Sequence, residues 1–244
     1  MNFFTNFKLY TDKSVISMLP LGFAAGLPLP LLLGTLSMWL REAGIARSTI
    51  TMLSWVALTY ACKWLWSPLV DNLHLPLLHR LLGRRRSWML LSQIGIICGI
   101  LLMAVTDPQY GLAMLVYSAL LTAFCSATYD IALDAYRIEA APETKQAGMS
   151  ANYILGYRIG MLAATAGALV LVSGFDTSGT SYSYSAWSLT YILMASFIGV
   201  GIITTLVVKE PEVTALRSSV LELPQVSEFM QSLSGSNQRV HHMF

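Results

Sequence analysis

Six long apolar stretches constrain the fold of this chain more than any other feature of its sequence. Each stretch is long enough to cross about 30 Å of hydrocarbon as a helix. A transmembrane barrel strand would instead alternate apolar and polar residues over about ten positions, and these stretches do not alternate. We therefore predict an all-α membrane protein with six transmembrane helices. The predicted spans cover residues 15–39, 48–70, 87–106, 111–136, 148–173 and 187–208.

Composition supports a bilayer environment and divides the chain into three parts. Of the 244 residues, 55% are hydrophobic and only 11% are charged, which is not the balance of a soluble domain. We predict an N-terminal cytoplasmic segment over 1–14, a transmembrane domain over 15–208 and a polar cytoplasmic tail of low order over 209–244. The first span follows a polar segment rather than a short cationic one, so we interpret it as a retained helix and not as a signal peptide.

Cysteine usage and net charge exclude several other classes of protein. Cys62, Cys98 and Cys125 all lie inside apolar spans at unrelated spacings, which indicates neither a disulfide framework nor a metal site. The net charge of +2 is too small to indicate a nucleic-acid partner. We therefore expect no bound cofactor and no nucleic acid, and we expect membrane lipid as a partner.

The placement of the basic residues predicts the orientation. If the N-terminus is inside, the external loops carry only Arg41 and Arg47, and nearly all other Lys and Arg residues face the cytoplasm. By the positive-inside rule this arrangement places both termini in the cytoplasm. Lys63 and Arg158 are exceptions because they lie inside spans, which makes them candidates for function.

The stretch "FCSATYDIALDAYRIEA", residues 124–140, places acidic residues at the end of an apolar run. Asp130 and Asp134 are four residues apart and share one helix face. The next span returns antiparallel, so Arg158 lies at the depth of Asp130, and Lys63 falls at a comparable depth. Charged residues in spans face the bundle interior or a water-filled cavity, and two close carboxylates there cannot both ionise cheaply. This pattern predicts a proton-coupling site.

A structural interpretation competes with the functional one. Charged residues near helix ends can form an ion network where water reaches, and we prefer that interpretation for Arg137 and Glu139. The Lys63 side chain can also extend along its helix so that its amine reaches the cytoplasmic surface of the membrane. Lys63 would then have no functional role in the span. An intramembrane enzyme would need a second catalytic motif, which the sequence lacks. Glycines four residues apart predict close helix packing, and these pairs are Gly22 and Gly26, Gly95 and Gly99, and Gly156 and Gly160.

Three motifs resemble a known family. The loop "WSPLVDNLHLPLLHRLLGRRRSWMLLSQ" resembles the connection between helices 2 and 3 of the major facilitator superfamily, in the long form of AmpG-type muropeptide permeases. The stretches "DIALDAYRIEA" and "AGMSANYILGYRIGML" are similar to the helix 4 and helix 5 signatures of the same family. The similarity extends over residues 8–210. It implies that the chain is the N-terminal, six-helix half of a major facilitator fold.

The resemblance also implies a function and a set of site residues. It implies a secondary transporter of the bacterial inner membrane that imports anhydro-muropeptides, glycopeptides released in peptidoglycan recycling, and is driven by the proton gradient. Proton coupling is implied for Asp130 and Asp134, and substrate or ion-pair contacts for Arg158, Lys63 and Tyr129. The residues implied to hold the inward gate are Asp71, Gly83, Arg84, Arg85 and Arg86.

Two departures from the family pattern leave alternatives open. Tyr129 stands where many relatives carry glutamine. The family fold also has a second six-helix half, and the sequence stops after one half and a polar tail. Either a partner supplies the other half, two copies pair, or the chain is a membrane remnant or interaction protein that does not transport.

Overall fold

Helices form all of the regular structure that the computed structural model describes, which covers residues 12–73, 75, 76, 78–176 and 182–211. The prediction of an all-α membrane protein is confirmed. Parts of the predicted N-terminal segment and tail, residues 1–11 and 212–244, lie outside the described residues. Five helices are long and apolar enough to span a membrane, and these are α1 (Lys13–Glu42), α3 (Arg84–Ala104), α4 (Pro108–Glu139), α5 (Glu143–Phe175) and α6 (Tyr184–Val207).

The predicted second span is helical but segmented, and we call the run over 47–72 α2. It differs from the other spans because 3₁₀ turns interrupt it and Pro68 lies in the first turn of its last piece. A proline inside a helix removes one backbone hydrogen bond and collides with the preceding turn, so the helix breaks just before it. The pieces of α2 are Arg47–Leu53, Ser54–Ala57, Leu58–Ala61, Lys63–Leu65 and Ser67–Asn72, and a loop helix, Leu78–Leu82, follows.

Helices α1 and α5 cross closely because their glycines interlock. A Cβ atom built on Gly22 or Gly26 would collide with the carbonyl oxygens of Tyr153 and Tyr157 on α5. Similarly, Cβ atoms on Gly156 and Gly160 would collide with carbonyl oxygens of α1. Glycine is required at such positions because only a residue without a side chain lets two backbones approach this far. The predicted role of these glycines in close packing is confirmed.

Each of α1 and α5 contains a π turn, and the two turns meet. The π turn of α1, Leu31–Thr35, directly follows Pro28–Pro30, and that of α5 is Ala163–Gly167. The Thr35 hydroxyl donates to the Ala164 carbonyl oxygen over 2.5 Å. A π turn leaves a backbone carbonyl without its usual partner, and here a side chain of the facing helix supplies one.

Buried aromatic rings hold one end of the bundle, which we call the aromatic end and define as Trp39, Glu42, Asp107, Tyr182 and Trp187. Trp39 and Trp187 are fully buried and stack with centroids 5.8 Å apart. Their indole nitrogens donate to the Tyr182 hydroxyl at 3.3 Å and to the Glu42 carboxylate at 2.7 Å, respectively. The Tyr182 hydroxyl in turn donates to Asp107 at 2.9 Å. The aromatic end therefore joins the end of α1 to the starts of α4 and α6.

Candidate functional site

A carboxyl group in the span of α4 is the centre of the candidate site, and one of its oxygen atoms is buried. Asp130 lies nine residues before the end of α4, about 13 Å along the helix axis. Its Oδ1 atom is buried and has no hydrogen-bond partner among the described residues. A buried carboxyl oxygen without a partner is costly, which makes Asp130 a candidate for a functional role.

The two predicted coupling aspartates occupy different environments. Asp134 forms an ion pair with Arg137 at 3.3 Å, and its side chain is 48% exposed. Arg137 also lies over the ring of Tyr153 on α5, 5.3 Å from the centroid. Asp130 makes no such contact in the described part of the chain. The shared helix face predicted from sequence is present, and only Asp130 combines burial with the lack of a partner.

The broken helix α2 brings two side chains toward Asp130. Lys63 begins a 3₁₀ turn and lies within electrostatic range of Asp130 without forming an ion pair in the described structure. Tyr60 lies about one turn earlier, next to Ser126 and within electrostatic range of Asp130. Trp66 fastens this part of α2 to α4, since its indole nitrogen donates to the Thr128 hydroxyl at 3.1 Å. Lys63 therefore lies near Asp130, as predicted, and it does so at one of the 3₁₀ turns that interrupt α2.

Arg158 does not meet Asp130 in an ion pair, although the sequence places the two at similar depth. The residue is exposed, and none of the ion pairs between described residues includes it. It stands two positions from Gly156 and Gly160, which contact α1. Two residues correspond to about 200° around a helix, so the glycine packing turns Arg158 away from α1.

Tyr129 lies in the interior of the bundle. Its side chain is fully buried, and its hydroxyl donates to the Leu21 carbonyl oxygen of α1 at 3.1 Å. One position along a helix is about 100° of rotation from Asp130, which points Tyr129 at α1. This hydrogen bond connects α4 to α1, so in this structure Tyr129 makes a packing contact between the two helices.

The predicted gate residues come together at the opposite end of the bundle from the aromatic end. We call this the basic end and define it as Asp71, Arg84, Arg85, Arg86, Glu139 and Glu210. Arg85 is its centre, with donations to both carboxylate oxygens of Glu139 at 2.6 and 3.0 Å and to Asp71 at 2.6 Å. Arg84 donates to the Asp71 carbonyl oxygen at 3.1 Å and lies 3.5 Å from Glu139. These contacts join α2, α3 and α4.

Reciprocal helix capping extends the basic end to α6. The Glu210 carboxylate accepts from the backbone nitrogens of Arg85 and Arg86 at 2.8 and 3.1 Å. The Arg86 guanidinium donates to the carbonyl oxygens of Thr205 and Leu206 at 2.9 and 2.6 Å. A carboxylate at a helix start and a cation at a helix end both oppose the helix dipole. Each helix end therefore supplies the cap of the other.

Gly83 permits this capping arrangement. Its φ of 86° lies in the left-handed region, which favours glycine. A Cβ atom at this position would also collide with the side chain of Glu210. Sequence reasoning selected Gly83 but missed Glu210, and it interpreted Glu139 as a helix-end charge. The available signal was an acidic residue just after the last span, in "KEPE".

Comparison with known proteins gives one family match and several relatives. Residues 15–110 match the family described as Acetyl-coenzyme A transporter 1. The chain is 34% identical over 216 residues to the Putative transporter AmpG 4 of Rickettsia felis, covering 88% of this chain and 50% of that protein. It is 36% identical over 230 residues to the Anhydromuropeptide permease of Escherichia coli K12, covering 94% and 44%. The chain spans about half the length of the curated relatives it matches.

Fold, site and comparisons together define a class. The helical bundle, with its interrupted helices and buried charged residues, is that of a multi-pass membrane protein with an all-α fold of the major facilitator type. Within that class, the chain is similar to AmpG-type permeases over 88% to 94% of its own length, at 31% to 36% identity. The resemblance found in the sequence motifs is confirmed.

Proposed function

We propose that this chain forms the proton-coupling half of a carrier that imports anhydro-muropeptides across the bacterial inner membrane. The observation that carries the proposal is Asp130 in the span of α4, whose Oδ1 atom is buried and has no hydrogen-bond partner among the described residues. A carboxyl group in this position binds a proton when the cavity is dry and releases it when water or a cation approaches. The name of the Escherichia coli relative, Anhydromuropeptide permease, supports the substrate class.

The basic end fits an inward gate under this proposal. Its ion pairs link α2, α3 and α4, and water reaches Asp71, whose side chain is 47% exposed. Ion pairs that water can reach contribute little net free energy, so they can break and become hydrated at a small free-energy cost. We propose that both termini are cytoplasmic, with the basic end on the cytoplasmic side, as the distribution of Lys and Arg indicates. A second six-helix half, or a second copy of this chain, would complete the substrate cavity.

Proteoliposome uptake tests the proton-coupling proposal. We expect purified chain, alone or with a separately expressed second half, to take up labelled anhydro-muropeptide faster when the outside is acidic. Asp130→Asn should abolish that acceleration and leave counterflow intact, because counterflow needs substrate exchange but no net proton movement. Glu143→Gln, at an exposed residue at the start of α5, is the control. Acceleration that survives in Asp130→Asn would refute the coupling role.

The half-length match supports a second candidate function, that of a non-transporting membrane protein that binds a partner. The chain covers 50% of the Rickettsia felis relative and 44% of the Escherichia coli relative, and the family architecture places substrate between two halves. Counterflow separates the two functions. Flux by the chain alone or with the second half supports the carrier, and its absence in both preparations supports the binding protein.

A further inference from the structure

The hydroxyl groups of α4 differ in where their hydrogen bonds go. Ser118, Thr122 and Thr128 each donate to the carbonyl oxygen four residues earlier, at 2.7 to 2.8 Å. This back-bonding is the usual arrangement for a hydroxyl inside a helix. Ser126 is also buried, and its Oγ atom has no hydrogen-bond partner in the described structure. Its hydroxyl is therefore available to a different partner.

Three unsatisfied polar groups meet at this point between α2 and α4. The Tyr60 hydroxyl lies next to Ser126 and within electrostatic range of Asp130. Tyr60 Oη, Ser126 Oγ and Asp130 Oδ1 are all buried without a hydrogen-bond partner among the described residues. Such groups are seldom left unsatisfied in a native protein, and a cluster of them indicates a site for water or another small polar species.

The chemistry of the cluster suits a group that changes its protonation state. A carboxylate can only accept hydrogen bonds, whereas a carboxylic acid also donates one. Hydroxyl groups both donate and accept. Tyr60 and Ser126 can therefore satisfy Asp130 in either state by rotating their O–H bonds, with no movement of the helices.

We infer that Tyr60 and Ser126 are positioning residues that bind the Asp130 carboxyl group, directly or through one water molecule, and set its proton affinity. The inference rests on the proposed function only in taking Asp130 as the proton-binding group. Tyr60 and Ser126 donate to the carboxylate while it is ionised and accept from the carboxylic acid once it is protonated, so neither residue gains or loses a proton overall. The other titratable groups around Asp130 are Lys63 on α2, Tyr129 and Asp134 on α4, and Tyr153 and Tyr157 on α5.

Removal of either hydroxyl should make protonation of Asp130 easier. Hydrogen bonds to a charged group are stronger than those to a neutral one, so their loss destabilises the carboxylate more than the acid. For Tyr60→Phe we expect proton affinity to rise about ten-fold, which is the effect of one hydrogen bond to a charged group. Ser126→Ala should act in the same direction.

Infrared difference titration of the purified chain in lipid nanodiscs tests this inference. The protonated carboxyl band that Asp130→Asn removes is assigned to Asp130, and its midpoint is followed against pH. We expect Tyr60→Phe to move the midpoint up by about one pH unit, with a shift in band position that reports the lost hydrogen bond. Tyr117→Phe, at a largely exposed tyrosine of α4, and Ser118→Ala, at a hydroxyl that back-bonds, should leave both unchanged.

Several outcomes would overturn the inference. An unchanged midpoint in both Tyr60→Phe and Ser126→Ala would do so, as would equal shifts in the two controls or the absence of any band that Asp130→Asn removes. Thermal melting of each variant identifies loss of folding, and if Tyr60→Phe does not fold, Ser126→Ala decides the question. The titration does not measure transport. If uptake fails but the midpoint shifts as expected, the inference on Tyr60 and Ser126 is still supported. A negative titration with uptake intact leaves the coupling role of Asp130 standing.

Discussion

The two ends of the bundle are held together by different chemistry. At the aromatic end, the fully buried rings of Trp39 and Trp187 stack and donate to neighbouring side chains. At the basic end, Arg85 bridges two carboxylates, one of which is half exposed. Separating stacked indole rings exposes a large apolar area to water, whereas ion pairs near water exchange one set of polar partners for another. The basic end is therefore the end whose contacts can open and close at modest cost.

The largest predicted effect is at the aromatic end. Trp187→Ala removes a fully buried ring that stacks on Trp39 and donates a hydrogen bond to the Glu42 carboxylate. We expect a loss of about 3 to 5 kcal/mol in unfolding free energy, the usual cost of truncating a buried aromatic residue. Chemical unfolding of the purified chain in detergent measures it. Trp64→Ala, at a tryptophan of α2 that is 67% exposed, is the matched control and should cost far less. Similar losses in both variants would contradict the comparison.

A smaller loss of unfolding free energy is expected at the basic end, and a second substitution should recover part of it. Glu139→Gln leaves the Arg85 guanidinium, whose side chain is 8% exposed, without its bidentate partner. We expect a loss of about 2 kcal/mol, below that of a fully buried pair because water reaches this cluster.

A double-mutant cycle separates the ion pair from the two side chains. Arg85→Gln combined with Glu139→Gln should be more stable than the sum of the single losses predicts, because neither charge is then left alone. The same unfolding measurement applies. Additive losses would mean that the Arg85–Glu139 contact contributes no coupling energy, and the proposed role of these ion pairs at the basic end would fail.

Gly83→Ala should cost about 1 to 2 kcal/mol, since it combines backbone strain with a collision. Gly44→Ala provides a close control. Both glycines have a φ near 80°, at 80° and 86°, but a Cβ atom on Gly44 would meet nothing within 4 Å, whereas one on Gly83 meets Glu210. The difference between the two losses measures the Glu210 cap. Glu210→Ala should remove that difference in the double variant, and a difference that persists would exclude Glu210 as its cause.

Sequence reasoning predicted the features that depend on local pattern. Hydropathy predicted the five long apolar helices among the described residues. The four-residue spacing of Gly22 with Gly26 and of Gly156 with Gly160 predicted the closely packed crossing that the structure contains. Proline positions did not reveal how far α2 would divide into short pieces, because 3₁₀ geometry depends on packing against α4.

Contacts distant in sequence could not be predicted in the same way. Counting residues from the connecting loop placed Arg158 at the depth of Asp130 in the membrane. Depth alone does not give the direction of a side chain around its helix, which depends on the face of α5 that packs against α1. The Glu210 cap joins residues 125 positions apart in the chain. Nothing in either local sequence specifies that contact.

The smallest effect is expected where the start of α1 meets the start of α5. Lys145 pairs with Asp12 over 2.5 Å, and both side chains are about one-third exposed. Hydrogen bonds from Lys145 and Ser14 lower the pKa of Asp12 from 3.8 to about 2. A carboxyl group with a lowered pKa in the folded state stabilises the fold above its ordinary pKa, and that stabilisation is lost as the pH falls toward the lowered value. We expect a contribution of only a few tenths of a kcal/mol at neutral pH, as for other exposed ion pairs.

The pH dependence distinguishes this ion pair from the other contacts. Asp12→Asn should melt slightly below the unaltered chain at neutral pH, and the two melting curves should converge as the pH falls from about 4 to about 2. Glu143→Gln, at an exposed acidic residue two positions before Lys145, should show no such convergence. A constant gap between the Asp12→Asn and unaltered curves across this range would contradict a stabilising contribution from the ionised Asp12 carboxylate.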